Sequence, residues 1–169
     1  MTHVAKKQSG LQKLDYRVFK YSTILLVALV IPFNAIHEFG HLIPCYLSGF
    51  EGTMSVGLMG SFATCNGLQG SLLFAFTGGF FALMVAFIPL VFTKIRKNPI
   101  FLIVLGSFGI AHFMTAILET FARDFYMSSE ATIPVSLISF MIFAVLLGTF
   151  GKTEIAENQI GNRKGLINK

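Results

Sequence analysis

The sequence predicts an all-α, polytopic membrane protein with four transmembrane helices and a small extracytoplasmic β-hairpin after the first. Three observations predict it. Hydrophobic residues make up 54% of the chain, which has 19 Phe, and charged residues only 12%, with a mean hydropathy of +0.71. Soluble domains carry about twice that charge. The apolar residues also gather into four runs of spanning length, and Lys and Arg fall almost entirely on one side of the membrane those runs imply. A 169-residue chain of this kind is one unit that buries its apolar surface in a bilayer.

Residues 1–20, "MTHVAKKQSGLQKLDYRVFK", form a basic cytoplasmic arm. The apolar run after it is too long for a signal peptide, and no small-residue cleavage site closes it. A spanning helix needs roughly 20 mostly apolar residues. Four segments qualify: about Tyr21 to Leu47, Ser71 to Phe92, Ile100 to about Ala122, and Ile133 to Phe150. Apolarity on all sides and helical length exclude a transmembrane barrel, whose strands alternate over about ten residues. The loop "EGTMSVGLMGSFATCNGLQG" after the first span is rich in Gly, Ser and Thr, and its short alternating stretches predict the hairpin. The membrane domain thus covers 21–150, and 151–169 is a polar cytoplasmic tail.

Orientation follows from the basic residues. Lys6, Lys7, Lys13, Arg17 and Lys20 precede the first span; Lys94, Arg96 and Lys97 separate the second and third; Lys152, Arg163, Lys164 and Lys169 follow the fourth. Four spans put all of these on one side, leaving Arg123 alone on the other. Both termini are therefore expected in the cytoplasm. The net charge of +5 is a topology signal, and no nucleic-acid partner is expected.

Within the first span, "IPFNAIHEFGHLIPCYLSGF" places His37, Glu38 and His41 at a depth where ionisable groups are costly. His37 and His41 are four residues apart, so on a helix they share one face a turn apart. That spacing lets two imidazoles hold one zinc ion, with Glu38 as general base toward water. No Lys or Arg lies within two turns of Glu38 to neutralise it. Gly40 permits close approach of another helix, Asn34 lies one turn before Glu38, and Pro44 is expected to bend the helix just past the site.

Candidates for a further ligand, His112, Glu119 and Asp124, lie in "AHFMTAILETFARDFYM". At 1.5 Å per residue from Lys20 and Lys97, His37 and His41 lie roughly 26 and 32 Å deep, Glu119 roughly 33 Å and Asp124 about 40 Å. A straight third helix favours Glu119. Glu119 and Arg123 are also spaced for an i,i+4 ion pair at the membrane surface. His112 reads as a packed, hydrogen-bonded core histidine. Cys45 and Cys65 both fall near the outer surface, where they either pair as a disulfide or remain two free thiols.

"HEFGH" inside a membrane span resembles the site-2 protease family of intramembrane zinc metalloproteases, over roughly residues 20 to 135. The resemblance implies a bundle with three core helices, the first carrying the two histidines and the glutamate. It also implies a short sheet after that helix and an aspartate ligand from a later segment. "TGGFFA" is similar to the family's small-residue patch, with Gly78 and Gly79 permitting close helix packing. The family's proline-flanked Leu-Asp-Gly signature is missing. Short members similarly have an aspartate followed by Thr-x-Pro, and "DFYMSSEATIP" matches that with Asp124, Thr132 and Pro134. By resemblance the metal ligands are therefore His37, His41 and Asp124, with Glu119 as alternative, and Glu38 is catalytic.

The expected activity is a zinc metalloendopeptidase acting on transmembrane protein substrates in contact with membrane lipid. The alternative is a non-catalytic integral membrane subunit, keeping a metalloprotease-like scaffold among the partners of a larger membrane complex. A transporter is disfavoured, because no half of the chain repeats and no pair of helices is interrupted.

Overall fold

The computed structural model describes residues 14–57, 60–126, 128 and 132–151, with Thr132 described by its backbone alone. Most of the arm 1–20, with Lys6, Lys7 and Lys13, and of the tail 151–169, with Lys152, Arg163, Lys164 and Lys169, lies outside the described residues. Helix α1 spans Tyr16–Leu47 and is followed by strands β1, Gly52–Ser55, and β2, Phe62–Cys65. Helix α2, Leu72–Phe87, runs into a 3-10 turn at Ile88–Val91 and a short helix α3, Thr93–Arg96. Helix α4 is Pro99–Phe121, α5 is the single turn Arg123–Tyr126, and α6 is Thr132–Phe150.

Four helices, α1, α2 together with its 3-10 turn, α4 and α6, are long and apolar enough to cross a membrane. The fold is therefore the all-α four-helix membrane architecture expected, with its small hairpin. Local signals set the helix starts. The Asp15 carboxylate accepts from the Arg17 amide at 2.8 Å, the Ser71 hydroxyl from the Phe74 amide at 3.1 Å, and the Asn98 side chain from the Ile100 amide at 3.0 Å. Each satisfies an amide that the first helical turn leaves unpaired. Helix α1 therefore begins inside the basic arm, earlier than Tyr21. It also continues through Pro32 and Pro44, ending one turn after the second proline.

Helix α2 packs between α1 and α4, while α6 lies mainly on α4. Below the polar residues of α1, the cluster of Phe33, Ala82, Ala86, Leu90 and Leu105 joins these three central helices. A second cluster, Val18, Ile103, Phe143 and Leu147, attaches α6 to α4 and to the start of α1. The hairpin pairs Gly52 with Cys65 and Ser55 with Phe62 in antiparallel register. Along β2 the side chains alternate, so Ala63 and Cys65 turn inward while Phe62 and Thr64 turn out. Cys45 and Cys65 form a disulfide, which ties β2 to the last turns of α1. Leu42, Cys45, Ala63, Cys65 and Phe74 bury against one another around it.

Candidate metal centre

On α1 the i,i+4 spacing brings His37 and His41 to one face, and both rings are buried, as is the neighbouring Glu38. Helix α4 supplies Glu119, also buried. His37 Nε2 lies 3.1 Å from Glu119 Oε1 and 3.1 Å from His41 Nε2, and His41 Nε2 lies 3.4 Å from Glu119 Oε2. A tetrahedral zinc site with bonds of about 2.0–2.1 Å separates its ligand atoms by about 3.3 Å. The two imidazoles and the carboxylate thus stand at the mutual spacing of three corners of such a site.

The hydrogen bonding agrees with such a site. His41 Nδ1 faces the carbonyl of Phe74. A carbonyl only accepts, so Nδ1 carries the proton and, in the neutral ring, Nε2 keeps its lone pair. Among the described residues, Glu119 Oε2 is buried with no hydrogen-bond partner. Two imidazole nitrogens and both oxygens of one carboxylate converge here, and burying such groups is costly unless each is paired with a proton or a cation. The chemistry of two imidazoles and a carboxylate suits a divalent metal, zinc among several.

Close helix packing makes this convergence possible. A Cβ on Gly78 would land in the His41 ring, and one on Gly40 would stand 2.8 Å from both Phe81 Cβ and the Thr77 carbonyl oxygen. On the other side of α2, a Cβ on Gly79 would strike the His112 carbonyl and Ala116. The adjacent glycines therefore bring α1 and α4 close to opposite sides of one helix, as expected of a small-residue patch.

A cleft of about 530 Å³, its open mouth included, leads to the group. Glu38, His41 and Glu119 line its floor, with Phe62 from the hairpin and Arg123 and Tyr126 from α5 also on its walls. Tyr126 was not a sequence candidate, because a lone tyrosine past a helix end carries no pattern. Its burial and the facing Glu119 carboxylate push the phenol pKa well above the usual value. It therefore stays a protonated hydrogen-bond donor throughout the neutral range.

The carboxylate that stands with the two histidines is not the one expected. Asp124 is exposed on α5 and stands outside the cluster, whereas Glu119, the alternative, joins the histidines. The reason is where α4 stops. It remains helical to Phe121, carrying Glu119 to the depth of His41, and then breaks at Ala122, with φ −134° and ψ 41°. Asp124 lies beyond that break, on a separate turn that brings Arg123 and Tyr126 to the cleft and leaves Asp124 exposed. The ion pair contemplated for Glu119 and Arg123 is not among the described ion pairs; the carboxylate faces the histidines instead. His112 is the packed, hydrogen-bonded histidine expected, stacked near Phe33 and Phe108 and 3.1 Å from His37 through their Nδ1 atoms. The remaining sequence candidate, Asn34, is half-buried and does not line the cleft. Comparison with protein-family models, with curated proteins and with solved structures gives no match.

Proposed function

We propose that this chain is an intramembrane zinc metalloprotease of the site-2 protease type, hydrolysing peptide bonds of membrane-spanning substrates. The observation that carries this reading is the arrival of Glu119, from a helix distant in sequence, at ligand spacing from both histidines of "HEFGH". His37, His41 and Glu119 would hold the ion. Zinc bound there would supply Lewis acidity, polarising a carbonyl and making hydroxide accessible near neutral pH.

The chain's own residues perform the rest. Glu38 lines the cleft beside His41, and no Lys or Arg is paired with it among the described residues. It is placed to take a proton from the attacking water and pass it to the leaving amine. Tyr126 faces the same space as a donor for a carbonyl oxygen. The cleft lets water and an unwound stretch of substrate reach the floor, since an intact helix hides its carbonyls in its own hydrogen bonds. The proposed topology puts both termini in the cytoplasm and the hairpin outside, where an oxidising compartment keeps the Cys45–Cys65 disulfide.

Purified protein should contain one zinc per chain and cleave a membrane-spanning reporter. Glu38→Gln should retain the metal and lose activity by about 10²- to 10⁴-fold, the range that general acid–base groups contribute. Wild-type cleavage by that variant removes Glu38 from the mechanism. A metal-free protein that purifies only as part of a stoichiometric complex supports the non-catalytic subunit instead.

A further inference from the structure

The four-residue spacing of His37 and His41 leaves one matter to the tertiary structure: which nitrogen of His37 carries its proton. We infer that His112 is a positioning residue that holds His37 in the Nδ1–H tautomer and so keeps its Nε2 lone pair directed at Glu119 and His41. This role rests on the proposed metal site, whose ligands it prepares without touching the ion.

His37 Nε2 faces two groups that offer lone pairs, His41 Nε2 and Glu119 Oε1, each at 3.1 Å. If Nε2 is to be a ligand it must be bare, and the ring proton then sits on Nδ1. An N–H turned into a buried bundle needs an acceptor. The group opposite His37 Nδ1 is His112 Nδ1, at 3.1 Å. His112 must then be the Nε2–H tautomer, accepting through its own Nδ1. With the polarity reversed, His112 Nδ1 would donate, the proton of His37 would move to Nε2, and the corner meant for a cation would be filled by hydrogen.

The acceptor is held firmly. His112 stacks with Phe33 at 5.9 Å and with Phe108 at 6.2 Å between ring centroids, and those two phenyl rings stack on each other at 4.3 Å. It also lies seven residues before Glu119 on α4, two turns along the same face, with Ala116 between them. One helix thus delivers both the third ligand and the tautomer partner, and a single register places both. Metal-bound histidines ordinarily donate their second N–H to a carboxylate, carbonyl or water. His41 follows that rule through the Phe74 carbonyl; for His37 a third imidazole takes the acceptor's place.

The test uses the full chain in detergent or lipid nanodiscs, with zinc titrated against a competing chelator and the histidine ring nitrogens labelled with ¹⁵N. His112→Phe preserves an aromatic ring for the stack and removes the acceptor. It should weaken zinc binding by roughly 10- to 100-fold, as loss of such partners does, with the melting midpoint of the zinc-free protein unchanged. His112→Gln, which restores an acceptor, should recover most of the affinity. Parental zinc affinity in His112→Phe overturns the role. The ¹⁵N spectrum of the parent needs no variant and no metal. A proton on His37 Nδ1 with His112 bare at Nδ1 upholds the pairing, and the opposite pattern overturns it. If the parent binds no zinc, the protease reading fails by itself, and the ¹⁵N pattern alone decides the role of His112.

Discussion

Both halves of α1 are rich in apolar residues, yet they meet different surroundings. Between Tyr16 and Pro32 only Val18 and Ser22 are buried, and Ile24 and Val27 are 54% and 67% exposed. From Phe33 to Cys45 the helix buries Phe33, His37, Glu38, Gly40, His41, Leu42, Pro44 and Cys45. One half presents itself to lipid; the other is enclosed by α2, α4 and the hairpin. Apolar character is therefore no guide to which part of a span is enclosed by protein. Residues that lipid would penalise, together with glycines that let other helices in, are the better guide.

The comparison can be broken most sharply at the polar end. Glu119→Ala should abolish stoichiometric zinc binding, while Asp124→Ala should bind zinc as the parent does; the reverse result, measured by metal content, would return the third ligand to Asp124. Next in size is Gly78→Ala, whose added methyl would meet the His41 ring. Overpacking of this kind costs about 1–3 kcal/mol, so both the melting midpoint and zinc affinity should fall. A variant as stable and as tight as the parent would mean that α2 does not press on His41. The smallest effect belongs to the lipid-facing half. Val27→Leu should change stability by less than about 0.5 kcal/mol, as surface substitutions away from specific contacts do, with cleavage intact. A large loss there would show that this face has a protein partner.

Much of this was legible in the residues. The four spans, the loop hairpin and the pairing of His37 with His41 follow from length, composition and a four-residue spacing, all of which act within one segment. Gly40, Gly78 and Gly79 were legible as a packing patch, though not as the reason His41 has room for its ring. The third ligand was divided between two carboxylates. The helix ruler pointed to Glu119 and the family resemblance to Asp124, and the break at Ala122 sides with the ruler. The disulfide, open between two states in the sequence, is formed between Cα atoms 5.9 Å apart. Tyr126 and the Phe74 carbonyl carried no signal, because a backbone acceptor is the same in every residue and a lone phenol has no period.

By itself the sequence determined the multi-pass helical class and put two imidazoles and a carboxyl group on consecutive turns of one helix. Both follow from the hydrocarbon thickness a span must cross and the 3.6-residue turn. Only the tertiary structure decided that Glu119 completes the group, that Gly78 makes space for it, and that His112 backs it. Those choices depend on how deep α4 sits against α1 across α2, a registration between distant segments that packing sets and no local pattern encodes.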